Sequence, residues 1–324
     1  MNIKQRILGA VGLAAMVAFG ATGLAAQQSY PSKPIELVVP FAAGGSTDVM
    51  SRMMATRLSE RLKQPVVVNN RPGGGSIIGT ALVAKAPPDG HMLLAQTIAF
   101  AINSAARPRL PFDPIKDFAP IMEVSTIPLM VLVHPSLPVK NIQELIELAK
   151  KKPLNYASSG FGTSPHLAGE MFNSMAGVKL VHIPYKGNAE ASTALLSGEV
   201  PIHFGLVPPF INHVKSGALR VIAVTTEKRI DSLPDTPTVA EAGFPAFEIS
   251  SWQGFMTTGG TPKEIVARLN SELVQIMNTP EIRASILKQG ATPVGGTPEA
   301  FAKKVASEIA KWKMVIEKSG AKME

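Results

Sequence analysis

Ile35-Glu36-Leu37-Val38-Val39-Pro40-Phe41-Ala42-Ala43-Gly44-Gly45-Ser46-Thr47-Asp48 decides the reading of this 324-residue chain. Its first six residues form a short, mostly apolar run, the pattern of a buried strand. A glycine pair follows, and then a helical period begins. Val49, Met53, Met54, Leu58 and Leu62 are read as one apolar face of a helix over 47–63. Strand, glycine loop and helix make the first half of a βαβ unit. Residues 65–69 supply a second strand, 77–85 a second helix and 91–95 a third strand. That alternation predicts a parallel sheet with helices on its faces.

The pattern resumes beyond a proline-rich loop at 107–120. Strands are expected at 129–134, 154–158, 180–183, 200–206 and 220–225. Helices are expected at 141–152, capped by Asn141 with Glu144 three residues on, and at 165–175 and 189–197. Leu167, Ala168, Met171, Phe172 and Met175 should face inward on the second of these. A strand-like segment at 247–257 precedes helices only, at 262–277, 280–289 and 298–318. The last carries Phe301, Val305, Ile309, Trp312 and Ile316 on one stripe. The layout predicts two α/β lobes with a cleft between them, a natural place for a small ligand. Residues 27–124 and 246–324 would build the first lobe and 125–245 the second.

Lys4 and Arg6 precede an apolar stretch over 7–23, and Gly23 and Ala25 are the small residues of a cleavage site. Residues 1–26 therefore read as a secretory signal peptide, cut between Ala25 and Ala26 or after Ala26. An uncleaved anchor is the alternative, though the stretch is short for a span and rich in glycine. Losing Lys4 and Arg6 lowers the formal charge from +8 to +6. The absence of cysteine excludes disulfides, thiolate metal sites, iron–sulfur clusters and a lipid-modified N-terminal cysteine. An exported chain with no lipid anchor is expected in the periplasm of a double-membrane bacterium, complete secretion being the alternative. With 45% hydrophobic and 17% charged residues, disorder is excluded as the main state. The cluster Lys150-Lys151-Lys152 lies where cations complement a helix C-terminus, and no aromatics alternate with it. No nucleic-acid partner and no cofactor are expected, and the protein is expected to be a monomer.

Three glycine loops carry the candidate chemistry. In the first, over Phe41, Ala43, Gly44, Gly45, Ser46, Thr47 and Asp48, Ser46 or Thr47 is read as a helix cap. Backbone N–H groups freed at that helix start favour an anion. The second, Ser158-Ser159-Gly160-Phe161-Gly162-Thr163-Ser164-Pro165-His166, again joins strand to helix. Pro165 would take the first helical position and Ser164 the cap. Each loop taken alone also reads as an ordinary connector. Two of them at strand carboxyl ends, one per lobe, point to a binding cleft. The third, residues 71–76, reads as a structural turn. His182 and His203 read as sheet residues, while His166 could reach a ligand. Gly-x-Ser-x-Gly, His-Glu-x-x-His, Walker A and Gly-x-Gly-x-x-Gly patterns are all missing. A hydrolase using Ser46 or Ser164 is the enzyme alternative, and a sensor for a membrane signalling protein is another.

Taken together, these residues resemble the tripartite tricarboxylate transporter substrate-binding proteins, the Bug family. The resemblance is carried by Tyr30-Pro31-Ser32-Lys33-Pro34-Ile35, the Val38–Asp48 run, Val68-Asn69-Asn70-Arg71-Pro72-Gly73-Gly74-Gly75 and Pro88-Asp89-Gly90. It continues through Tyr156-Ala157-Ser158-Ser159-Gly160-x-Gly162-Thr163, His182-Ile183-Pro184-Tyr185-Lys186-Gly187 and Gly260-Thr261-Pro262. It implies an α/β, two-lobe fold of the periplasmic-binding-protein type (type II) with a hinged cleft. It also implies a small organic carboxylate ligand, partner permease subunits in the membrane and no enzymatic activity. The first two loops would meet the ligand from opposite lobes, with Gln96, Tyr185 and Gly205 completing the candidate set. Many relatives have Phe-Asp where this chain has Phe204-Gly205. Gly205 should then free space and disfavour an amino-acid ligand, leaving a mono- or dicarboxylate, aromatic acids included.

Overall fold

The structure, a computed structural model, describes residues 30–185 and 187–319. The expected leader at 1–26 lies outside the described residues. The sheet runs in the order β2 (Val66–Asn70), β1 (Ile35–Val39), β3 (Met92–Thr97), β9 (Ser250–Thr258), β4 (Phe118–Val133), β7 (Ile202–Leu206), β5 (Leu154–Ser158), β6 (Leu180–Pro184). At one end, β1 (Ile35–Val39) pairs in parallel with β2 (Val66–Asn70) and β3 (Met92–Thr97). At the other, β5 (Leu154–Ser158) pairs in parallel with β6 (Leu180–Pro184) and β7 (Ile202–Leu206). Two antiparallel strands join these sets, β4 (Phe118–Val133) and β9 (Ser250–Thr258). β4 pairs with β9 from Phe118↔Thr258 to Pro128↔Ser250, then with β7 from Leu129↔Leu206 to Val133↔Ile202. β8 (Arg220–Val224) and the two-residue β10 (Thr292–Pro293) also pair with β4.

Each parallel strand feeds a helix. α1 (Ser46–Leu62) follows β1, α2 (Ile77–Ala84) follows β2, and α3 (Ile98–Ala106) follows β3 directly. α4 (Ile142–Lys151) precedes β5, and α5 (Ser164–Ala176), α6 (Asn188–Leu196) and α7 (Val207–Lys215) follow β5, β6 and β7. The C-terminal part is α8 (Lys263–Met277), α9 (Pro280–Lys288) and α10 (Pro298–Ser319). Asn141 caps α4 as its sequence predicts, its side chain accepting from Glu144 N–H at 2.9 Å.

Several expectations are corrected. Strand β4 begins at Phe118, inside the expected loop, and is far longer than the 129–134 segment. Pro120 and Glu123 fall at irregularities of register, between Pro120 and Met122 and between Glu123 and Ser125, and Pro128 lies where β4 passes from β9 to β7. Helices α3 and α7 were not expected. α7 opens on Pro208 and Pro209, which the first helical turn tolerates because its N–H groups have no intrahelical partner. β10 interrupts the helices-only C-terminus. On α1, Val49 is exposed and Met53 half-buried, while Met50, Met54, Leu58 and Leu62 face the core. Met54, Leu58 and Leu62 of the expected stripe are therefore buried as read, and Met50 takes the place of Val49 in the first turn.

α10 braces the two joining strands. Phe301, Val305 and Trp312 are buried, with Ile309 and Ile316 packed partly against the same core. The Phe301 ring stands edge-on to Trp252 of β9 at 5.3 Å. Position 254 leaves no room for a side chain, because a Cβ there would lie 2.3 Å from the Phe301 ring. Lys304 pairs with the buried Glu123 of β4, and Lys311 with Glu248 at 3.0 Å just before β9. Phe301→Ala should cost about 3–5 kcal/mol in urea unfolding, since it empties the space above Gly254. A change below 1 kcal/mol would show that α10 does not brace the strands.

Candidate functional site

The first two glycine loops meet at one cavity of about 600 Å³, within the range of small-ligand sites. From the expected set, Phe41, Ala43, Gly44, Gly45, Ser46 and Thr47 line it on one side. Ser159, Thr163 and Ser164 line it on the other. The starts of α1, α3, α5, α6 and α7 all open onto it, through Gly45, Thr97, Thr163, Gly187 and Leu206. Thr97 caps α3 by accepting from Ala99 N–H at 3.2 Å. The other four starts have no side-chain cap. The expected caps are corrected here. Gly45 and Thr163 occupy the cap positions, and Ser46 and Ser164 are the first helical residues. The Thr163 hydroxyl instead donates to Gly160 C=O at 2.7 Å. Uncapped first turns present N–H groups and the positive end of the helix dipole to the cavity. Among the described residues, no Lys, Arg, Asp, Glu or His lines it.

Asp48 is buried and faces away from the cavity, into a brace for the first loop. Its Oδ2 accepts from Gly44 N–H at 2.9 Å and Arg52 Nε at 3.0 Å, and its Oδ1 from Asn70 Nδ2 at 2.9 Å. Burial alone would raise its carboxyl, but the hydrogen bonds from Arg52, Gly44 and Asn70 outweigh this and bring it down to about 2. Gly44, at φ +82°, adopts a left-handed conformation that a side chain would strain. The second loop has its own brace. Ser158 Oγ lies 2.6 Å from His182 Nε2, and the His166 ring stacks on His182 at 4.0 Å. His166 Nδ1 accepts from Gly162 N–H at 3.2 Å, so its ring holds the loop from behind.

Other expected residues also lie off the cavity wall. Gln96 is fully buried, and its Nε2 donates to Thr80 Oγ1 at 2.6 Å, beneath the third loop. That loop is held by Asn103 Nδ2, which donates to Gly75 C=O at 2.7 Å, in keeping with its reading as a structural turn. Tyr185 donates through its hydroxyl to Glu199 at 3.2 Å, and Gly160 and Gly162 shape the loop without lining the cavity. The expectation for Gly205 is corrected. A Cβ there would meet the Phe210 ring at 2.6 Å and His203 at 2.8 Å, so the missing side chain opens no ligand space. Sequence reasoning missed Thr97, Ile98, Ala99, Ile127, Leu206 and Asn188, along with Ser251 and Gln253 of β9. The strand-to-Pro-Pro transition at Leu206 was a usable signal. Nothing in the sequence marks Gln253.

A sequence profile of the tripartite tricarboxylate transporter family receptor (TctC) matches residues 50–321. The chain belongs to this family. Protein BugT of Bordetella pertussis is 35% identical over 328 residues, spanning 100% of both chains. Among solved structures, R. palustris Rpa4515 with adipate is 36% identical, with a TM-score of 0.81 over 90% of this chain and 98% of that one. Periplasmic binding protein BugD is 34% identical, with a TM-score of 0.80 over 91% of this chain and 100% of that one. The fold is that of the periplasmic binding proteins, and the family and its structural neighbours are solute-binding proteins, not enzymes.

The histidine brace carries a pH signature. Burial lowers His166 to about 3, with His182 adding to the effect, and burial lowers His182 to about 4. The unfolded chain takes up these protons from about pH 6.5 downward, while the folded chain resists. The stability they contribute is thus complete above pH 6.5 and is lost as pH falls toward 4 and then 3. His182→Gln should flatten the fall of Tm between pH 6.5 and 4. Identical slopes in both proteins would refute the assignment.

Proposed function

We propose that the protein is a periplasmic receptor that captures a small organic carboxylate and delivers it to the membrane subunits of a tripartite transporter. The observation that carries this reading is the convergence of five helix starts on one cavity whose described lining has no charged side chain. Such a wall attracts an anion through backbone N–H groups and hydroxyls. Phe41, Ile98, Ile127 and Leu206 supply apolar surface for the ligand body, aromatic acids included. An ammonium group would find no carboxylate among the described lining residues, since Asp48 is held by Arg52 and Asn70. The adipate in the Rpa4515 structure is of the same ligand class.

Capture proceeds by closure of two lobes, residues 27–124 with 246–324 and residues 125–245. The division of the described parallel strands into two sets, joined in the sheet through β4 and β9, supports this partition. A carboxylate touching both loops favours the closed state because some contacts exist only when the lobes are near. Export through cleavage of residues 1–26 would bring the chain to the compartment named for BugD.

A thermal-shift panel tests the ligand class, because a ligand that binds only the native state raises Tm. Succinate, adipate or benzoate should raise it and glutamate should not. Tight glutamate binding without response to the other acids would overturn the reading. Thr163→Ala, Ser164→Ala and Gly45→Val should each weaken binding about tenfold while remaining folded. Unchanged affinity in all three would remove the site. Closure should appear in solution scattering as a smaller radius of gyration with ligand, and an unchanged radius would exclude it.

A further inference from the structure

We propose that Gln253 is a ligand-holding and specificity-determining residue: its side-chain amide donates to a carboxylate of the bound ligand at the floor of the cavity. The inference rests on the carboxylate reading above and names a residue on which the discrimination turns. Gln253 lies on β9, between Thr97 of β3 and Ser125 of β4. It is therefore rooted in a strand common to both parallel sets. It is 3% exposed, yet it lines the cavity.

Its hydrogen bonding is incomplete. Nε2 lies 3.4 Å from Ser46 Oγ and 3.5 Å from Thr47 Oγ1, and Oε1 lies 3.4 Å from Ser125 Oγ. A carboxamide has two donor hydrogens and two acceptor lone pairs, and good N–H···O bonds cluster near ~2.9–3.0 Å. All three contacts are at the outer edge of that interaction. Two nearby buried amides show what a structural amide does in this protein. Gln96 Nε2 donates to Thr80 Oγ1 at 2.6 Å, and its Oε1 accepts from Thr97 N–H at 3.0 Å. Asn103 Nδ2 donates to Gly75 C=O at 2.7 Å and to Ala99 C=O at 2.8 Å. Each of those amides makes two hydrogen bonds of 3.0 Å or less, while Gln253, at a cavity wall, has only contacts of 3.4–3.5 Å.

The direction of the Gln253 amide identifies the partner chemistry. The amide nitrogen faces the hydroxyls at the uncapped start of α1, where first-turn N–H groups also collect. A carboxylate oxygen there would take the amide and a hydroxyl together, with the helix N-terminus behind both. An amide supplies this donor without a titrating group, so its part in capture is constant with pH. A glutamate at the same place would offer its own carboxylate to the α1 start and repel that of the ligand.

The test uses the full-length mature protein with succinate, adipate and benzoate as probes. Gln253→Met preserves length and removes both polar atoms. It should weaken binding of the best probe by about tenfold to a hundredfold by calorimetry, with Tm of the free protein close to wild type. Gln253→Glu should weaken it by about a hundredfold or more. In ¹⁵N spectra the side-chain amide pair absent from Gln253→Met should shift on titration of the wild type, a change that a purely structural amide would not show. Unchanged affinity in Gln253→Met, or an amide pair that does not move in the wild type, would overturn the proposal while leaving the receptor reading intact. If neither variant folds, the Gln253 amide pair is assigned through its bonds to the backbone in ¹³C,¹⁵N-labelled wild type, and its response to the acids alone decides. If the wild type responds to none of the three acids, the carboxylate reading itself fails and this assignment fails with it.

Discussion

The antiparallel pairing of β4 with β9 governs where the chemistry occurs. Each parallel set sends its helices away from the carboxyl ends of its strands, as βαβ connections require. A single set would leave these helix starts along an open edge. Because β4 passes from β9 to β7 at Pro128 and Leu129, the strand ends of the two sets face a common space. α1 and α3 reach it from β1 and β3, and α5, α6 and α7 from β5, β6 and β7. The cavity is thus a product of strand order: much of its wall comes from residues that lead into helices, and β4 and β9 add Ile127, Ser251 and Gln253.

That origin explains the composition of the wall. Helix starts bring peptide N–H groups, and small residues let them approach a ligand. Several charged groups of the described residues are engaged in structure instead. Arg52 holds Asp48, Lys304 holds Glu123 and Lys311 holds Glu248. A buried guanidinium in the cavity would bring a desolvation cost whenever the site was empty. Peptide dipoles carry their partial charge without that cost, and the helices hold them in place before any ligand arrives.

The βαβ periodicity was legible because buried strands and glycine loops leave local marks. The runs at Ile35–Val39 and Leu154–Ser158 and the loops after them were visible for that reason. So were the long apolar stripe of α10 and the Asn141 cap. What failed to show depends on distant partners. The strand character of residues 118–128 comes from β9, more than a hundred residues later in the chain. The exposure of Val49 depends on the angle at which α1 lies on the sheet. Asp48 looked like a ligand contact because it belongs to the loop, but Asn70 and Arg52 turn it inward. Gly205 looked like released space because the sequence does not show that Phe210 fills it. Gln253 was invisible for the same reason, since its significance lies in neighbours from three other segments.

The irregular register of β4 also limits how the chain can vary in length. Side chains alternate faces with a period of two residues, so removing or adding one residue within 118–128 would turn the rest of that strand over. A change falling between Glu123 and Ser125 would separate one of them from its partner, Lys304 or Gln253. Turns such as the one around Asp231–Thr236 lie outside the sheet ladders and face no such parity rule. A change of length in such a turn should therefore disturb the sheet less than one in the middle of β4.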